Sequence, residues 1–181
     1  VLAFDNRVEG PPNLEGDGEL VAATDRNRYR ALEFVQGVEA RGGTEMAGPL
    51  LEGLSNLQNE RRTARRSVVL VTDGQVGNED QLLAEVDRKL GDTRIHTVGI
   101  DRAVNAGFLK RLAKKGGGRC ELVESENRLD EAMTRLHRTI GTPVLEEVSV
   151  SLTGADVDVE SIVPGRLPDL FGGVPLRIYG R

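Results

Sequence analysis

Apolar and polar positions recur along the chain with two periods, one typical of strands and one typical of amphipathic helices. The clearest strand covers residues 67–72, an uninterrupted run rich in β-branched residues, as in a central parallel strand covered on both faces. Residues 94–100 and 119–123 have similar character, and the apolar residues 1–4 predict a further buried strand. A short strand is expected at residues 19–23.

Helical spacing separates these strands and predicts helices over residues 25–40, 47–58, 78–90, 105–115 and 127–140. The first of them carries four apolar residues on one face, Tyr29, Leu32, Val35 and Val38, and ends at Arg41 and the two glycines after it. Asn78 and Gln81 resemble a capping box at the start of the third helix. Strands joined by helices of this length form parallel sheets through right-handed crossovers, so we predict an α/β fold with a mainly parallel sheet.

The pattern changes after residue 143. Residues 145–152 and 156–160 are apolar at alternate positions, residues 174–179 look similar, and no helix pattern intervenes. We therefore predict two parts, an α/β domain over residues 1–143 and an antiparallel β extension over residues 144–181 that belongs to a neighbouring β domain.

Charge and composition exclude several functional classes. The net charge is −5, which argues against a nucleic-acid partner, and no apolar run is long enough to insert into a membrane. The single cysteine, Cys120, excludes an internal disulfide framework, and we expect it to be a small core residue; His96 is expected to be packed within a strand. The sequence contains no GxSxG, P-loop or GxGxxG pattern, so a hydrolase or nucleotide-binding domain is disfavoured and we expect no enzyme.

Candidate chemistry lies where predicted strands end, because ligands of open α/β sheets bind at the carboxyl ends of the strands. Asp73 follows the strand at 67–72, and Gly74 allows a sharp turn after it. A carboxylate at this position is a suitable oxygen ligand for a hard cation. The alternative is a plain Asp-Gly turn.

Two further places have the same character. Gly43 allows a close backbone approach, and Thr44 and Glu45 follow it at the start of a helix; the alternative is a helix end followed by an N-cap. Asp5 follows the predicted first strand, where a turn former is the favoured interpretation.

The order of these motifs resembles the von Willebrand factor type A family. Gly43-Thr44 is similar to the second metal-site motif of that family, and Thr72-Asp73-Gly74 to the third. The longer strings at residues 42–46, 69–79, 96–100 and 167–173 resemble bacterial relatives of inter-α-trypsin inhibitor heavy chains, in which this domain follows a VIT domain. The implied fold is a Rossmann-like three-layer sandwich.

The resemblance implies a metal-ion-dependent adhesion site that holds Mg²⁺ or Mn²⁺ through oxygen ligands. Thr44 would bind directly through its hydroxyl group, Asp73 would bind closely or through water, and a partner's carboxylate would complete the octahedron. The surrounding site would be lined by Asp5, Gly43, Glu45 and Gly74. The first motif of the family, Asp-x-Ser-x-Ser, does not occur in the 181 residues, so we expect weak or absent metal binding by this chain.

The function implied by the resemblance is a protein-binding or adhesion module that recognises an acidic partner group. The alternative is a structural domain of a larger envelope or secreted protein with a vestigial metal site, and either parent would lie in the cell envelope or outside the cell. The chain looks like a fragment that begins at the second strand of the fold. A strand missing from a sheet leaves two alternatives: the neighbouring strands close the gap, or a segment from another copy pairs with the open edges in a strand-exchanged homodimer.

Overall fold

The structure of the chain is a computed structural model that describes residues 1–14, 20–39, 41, 43, 45–58, 66–73, 77–101, 103–125, 128–141, 144–145, 148–151, 153–154, 156–165, 167–170 and 175–181. The chain divides into two compact units. Unit 1 comprises Val1–Arg66 and Gly74–Thr93, and unit 2 comprises Ser67–Asp73 and Arg94–Arg181.

Unit 1 contains a short antiparallel hairpin and three helices. The hairpin pairs β1 (Ala3–Phe4) with β2 (Val8–Glu9), and the helices are α1 (Asp25–Gln36), α2 (Ala47–Gln58) and α3 (Glu79–Lys89). Helices α2 and α3 pack against each other. Their buried faces carry Leu50, Leu54, Leu82, Leu83 and Val86, each of which contributes about 2 kcal/mol when fully buried.

Three predictions for unit 1 are wrong. Residues 1–4 are not a buried strand, because only Ala3 and Phe4 pair, in an antiparallel hairpin, and the side chain of Val1 is 70% exposed. Residues 20–23 form no strand. Helix α1 ends at Gln36 instead of residue 40, and the four apolar side chains predicted on its face are between 45% and 61% exposed. Periodicity identifies residues that share a helix face but does not show whether anything covers that face.

Unit 2 contains the parallel sheet that the sequence predicts. Strands β3 (Ser67–Thr72), β4 (Arg94–Ile100) and β5 (Gly117–Val123) pair in the order β3-β4-β5, and both pairings are parallel. Helix α4 (Ala106–Lys115) packs on β4 and β5, and α5 (Leu129–Gly141) packs on β5. A core cluster of Val98, Val123, Ala132 and Leu136 joins the sheet to α5.

The strand predicted to be central is β3, and this prediction is wrong for the described residues. Strand β4 is central, and its five inner residues are all buried. Strand β3 lies at an edge, and one of its faces is partly open, with Val69 and Val71 38% and 43% exposed. The uninterrupted apolar run therefore predicts the strand correctly, but it overestimates how much of the strand is buried. The strand-exchanged homodimer stays a prediction.

The glycines after α4 serve two different purposes. Gly116 ends the helix and donates its backbone N–H to Leu112 O at 3.0 Å. Gly117 and Gly118 already belong to β5, which starts two residues earlier than predicted. A Cβ atom at Gly118 would lie 2.1 Å from Ile95 O, so only glycine allows β5 to approach β4 this closely.

The β-strands predicted over residues 145–152, 156–160 and 174–179 are wrong for the described residues, which form no regular strand there because apolar residues at alternate positions do not ensure a pairing partner. The little pairing that occurs is antiparallel. Two isolated antiparallel bridges, Leu145↔Leu170 and Val163↔Tyr179, and one 3₁₀ turn, Val159–Ser161, are the regular features among the described residues beyond 143. The boundary between residues 143 and 144 stays a prediction. None of the described helices is both long and apolar enough to cross a membrane.

Candidate functional site

Asp73 lies at the carboxyl end of β3, where the sequence places it. Thr72, the last residue of the strand, is buried, and the side chain of Asp73 is exposed. Thr44 and Gly74, the other residues of the two predicted motifs, lie outside the described residues. Asp73 therefore lies at the edge of the sheet where open α/β folds bind ligands, and its role as a metal ligand stays a prediction.

Asp5, Gly43 and Glu45, which are far apart in sequence, are brought together in unit 1. The backbone N–H of Glu45 donates to Asp5 O at 2.9 Å. Gly43 has a φ of +85°, and a Cβ atom there would lie 2.2 Å from the side-chain oxygen of Asn6. The backbone at Gly43 therefore needs glycine for packing against the turn at residues 5 and 6, whether or not a ligand binds.

The carboxylate of Asp5 is already engaged by protein groups. It accepts hydrogen bonds from the backbone N–H of Arg7 at 2.7 Å and from Arg41 Nε at 2.9 Å. The Arg7 N–H, with Arg41 beside it, lowers the pKa of Asp5 although partial desolvation opposes the shift. Arg41 also donates to Glu9 at 2.9 Å. Arg41 thus links to Asp5, which follows β1, and to Glu9 in β2. Sequence patterns did not indicate these contacts, because they join residues more than thirty positions apart.

A cavity of about 280 Å³ in unit 1 is the feature that best fits a recognition site. One wall consists of Glu45, Met46, Ala47 and Gly48, at the start of α2, and the other consists of Gly77, Asn78, Gln81, Leu82 and Glu85, at the start of α3. The first wall follows the Gly43-Thr44 motif in sequence, and the second follows Asp73-Gly74. Residues downstream of both predicted motifs therefore line the same cavity.

The cavity combines oxygen and amide groups with two helix N-termini. Asn78 is the N-cap residue of α3, as predicted, but its side chain makes no capping hydrogen bond. The predicted capping box is therefore absent, because Gln81 donates to Glu85 at 3.1 Å instead of reaching back. Helix N-termini attract negative charge, whereas Glu45 and Glu85 offer carboxylate oxygens. Such a surface suits a partner carboxylate that approaches together with a cation.

The described residues do not by themselves complete a cage for Mg²⁺ or Mn²⁺. Mg²⁺ requires six oxygen ligands in near-octahedral geometry, of which several are usually waters. Glu45 in unit 1 and Asp73 in unit 2 each carry a carboxylate, but no group of three or more His, Cys, Asp or Glu side chains placed to hold a metal occurs in the described part of the chain. The donor set is therefore incomplete without groups beyond these residues.

His96 has the packed environment expected from the sequence, whereas Cys120 is half-buried and not the core residue that was expected, because its side of β5 is only partly covered. His96 is buried, and its Nδ1 accepts a hydrogen bond from the backbone N–H of Arg119 at 3.2 Å. Burial, helped by the positive charges of Arg94 and Arg119, lowers the pKa of His96 to about 4, so this side chain is neutral at pH 7. Burial also raises the pKa of the half-buried Cys120 thiol.

Comparison with known proteins agrees with this architecture. The sequence profile of the von Willebrand factor type A domain matches residues 16–122. The chain is 31% identical over 157 residues to von Willebrand factor A domain-containing protein 5B1 of Mus musculus. The aligned region covers 86% of the chain and 13% of that protein. The chain is also 21% identical over 174 residues to inter-alpha-trypsin inhibitor heavy chain H2 of Sus scrofa, covering 90% of the chain and 18% of that protein. The chain thus spans less than a fifth of these relatives.

A solved structure shows the same fold. The von Willebrand factor type A protein from Catenulispora acidiphila superposes with a TM-score of 0.69 at 21% identity, over 96% of this chain and 42% of that chain. The Rossmann-like fold predicted from the sequence is confirmed, and so is the family resemblance, whereas the preceding VIT domain and the bacterial origin stay predictions. The chain therefore belongs to the von Willebrand factor type A domain family, whose members are typically protein-interaction modules.

Proposed function

We propose that this chain is a protein-recognition module, and not an enzyme, which binds an acidic group of a protein partner at the cavity between the starts of α2 and α3. The observation that carries the proposal is that residues following both family motifs line this one cavity. The N-terminal ends of the two helices favour an incoming carboxylate through their aligned peptide dipoles. Met46 and Leu82 are buried beside them and give the cavity a rigid base.

A divalent cation would join the partner to the chain in this proposal. Mg²⁺ or Mn²⁺ prefers oxygen ligands and exchanges a bound water for an incoming carboxylate. Thr44 and Asp73 are the ligands that the motifs supply, and a partner carboxylate adds another. Because the Asp-x-Ser-x-Ser string is absent from the 181 residues, we expect these residues alone to bind the cation weakly or not at all.

Calorimetric titration of Mg²⁺ and Mn²⁺ into the chain tests the cation part of the proposal. The variant is Asp73→Ala, and the matched control is Asp92→Ala, which removes an exposed carboxylate from the turn after α3. Saturable heat that disappears in the first variant and persists in the second supports the proposal. Binding that survives Asp73→Ala would contradict the assignment of Asp73. Complete absence of heat in the unaltered chain would contradict cation binding by these residues and favour a vestigial site.

A further inference from the structure

A second cavity, of about 310 Å³, lies wholly within unit 2 and is unrelated to the family motifs. Helix α4 and the first residues of β5 form one side of it, and C-terminal residues form the other. The C-terminal wall is held in shape by the bridge between Val163 and Tyr179, whose two backbone hydrogen bonds measure 2.8 and 2.9 Å. We call this space the cationic cavity.

The charged residues in the described lining of the cationic cavity are all positive. Lys110 and Lys114 are one helical turn apart on α4 and therefore share a face, and Arg177 projects from the C-terminal wall. Among the residues that the structure describes, no acidic residue lines the cavity and none of these three cations forms an ion pair. Other arginines of the chain, such as Arg94 and Arg135, are paired with carboxylates.

The rest of the lining is largely apolar. Ala113, Val163, Pro164 and Tyr179 are among the apolar and aromatic residues of this lining, and Cys120 lines the cavity on the β5 side. Tyr179 is 62% exposed and Val163 41% exposed, so this apolar surface is open to a ligand. The volume is at the lower end of the range for small-molecule sites, which combine mostly apolar walls with a few charged groups.

We propose that the cationic cavity binds a small amphipathic anion, with a carboxylate or phosphate head held by Lys110, Lys114 and Arg177 and a short apolar body against Val163 and Tyr179. Charge complementarity carries this assignment, because three cations with no acidic residue beside them in the described lining repel one another, and an anion relieves that repulsion. The site is independent of the recognition face at the starts of α2 and α3, so either proposal stands if the other fails.

Cys120 provides a direct test, since it is the only cysteine of the chain and lies in the cavity wall. The probes are octanoate and octyl phosphate, with octylammonium as the cationic control, each below its micelle-forming concentration. The measurement is the rate at which neutral iodoacetamide alkylates Cys120. We expect both anions to slow alkylation in a saturable manner and octylammonium to have no effect. The anion that protects at the lower concentration identifies the preferred head group.

Two double variants distinguish binding in the cationic cavity from non-specific attraction of an anion to a positively charged surface. In Lys110→Gln/Lys114→Gln, the concentration that gives half-maximal protection should rise about tenfold, corresponding to about 1.4 kcal/mol. The control Arg111→Gln/Lys115→Gln removes two positive charges with the same spacing from the same helix but outside the cavity lining, and it should shift that concentration less than about twofold. Equal shifts in the two variants, equal protection by octylammonium, or no protection by either anion would overturn the proposal.

Discussion

The ion pair between Arg94 and Asp169 gives the sharpest stability prediction. Arg94 Nη2 donates to Asp169 Oδ1 at 2.9 Å, and Nη1 donates to Leu167 O at 3.2 Å. The two charged side chains are only 12% and 8% exposed. Arg94→Met keeps the aliphatic stem but leaves the buried carboxylate without its partner. We expect a loss of about 3 kcal/mol in the free energy of unfolding, at the lower end of the range for such changes because both groups retain some exposure.

Urea unfolding of four proteins measures this effect: the unaltered chain, Arg94→Met, Asp169→Leu and the double variant. The double variant should recover most of the loss, because replacing a buried ion pair by apolar side chains is often nearly neutral. Arg135→Met is the control, since Arg135 pairs with Glu121 at 3.0 Å but is 47% exposed. An ion pair with an exposed arginine contributes about 0.5 kcal/mol.

The histidine beside the pair gives an independent readout. Arg94 lowers the pKa of His96, and Asp169 raises it. Arg94→Met removes the first effect and leaves the second, so the pKa of His96, measured by NMR titration, should rise. The reasoning is refuted if Arg94→Met costs no more stability than Arg135→Met, or if the pKa of His96 stays at its original value.

Three further predictions concern stability, each measured by urea unfolding. Gly118→Ala places a Cβ atom 2.1 Å from a carbonyl oxygen of β4 and should lower the free energy of unfolding by about 3 kcal/mol. The control Gly48→Ala has open space around the new Cβ atom and should not destabilise the chain. Equal effects of the two variants would contradict the packing argument. Thr24→Ala removes the hydroxyl that accepts the Asn27 N–H at 3.2 Å and should cost about 1 kcal/mol, with Thr24→Ser close to neutral. The pKa of His96 is about 4 in the folded chain and 6.5 in the unfolded chain, so the unfolded state binds the proton more tightly. The free energy of unfolding should therefore fall by up to about 3 kcal/mol as the pH drops from 6.5 to 4. His96→Gln should make this free energy depend less on pH.

The sequence predicts the parallel sheet well because its strands and helices have strong local patterns. Strands β3 and β4 have the predicted bounds, and α4 begins immediately after Asn105, whose side chain accepts the Phe108 N–H at 3.0 Å. In each case the pattern and the local hydrogen bonds indicate the same element. Agreement between levels of this kind makes a prediction from sequence dependable.

The errors occur where burial depends on residues far away in the sequence. Val1 is apolar but exposed, and Val69 and Val71 leave one face of β3 partly open, although the residue pattern alone suggests full cover. The candidate site shows the same limit. The place of Asp73 at the end of β3 could be predicted because an apolar run followed by Asp-Gly is a local signal, and its role as a ligand stays a prediction. The ion pairs that Arg41 forms with Asp5 and Glu9 have no such local signal.

The most direct test of the proposed recognition face is titration of the isotope-labelled chain with Mn²⁺, which broadens the NMR signals of amides close to a bound ion even when binding is weak. The account predicts that the amides of residues 45–48 and 77–82 broaden first and recover when excess Mg²⁺ displaces Mn²⁺. Broadening that follows the acidic residues across the whole surface, or that leaves the amides of these two segments unaffected, would contradict the central claim.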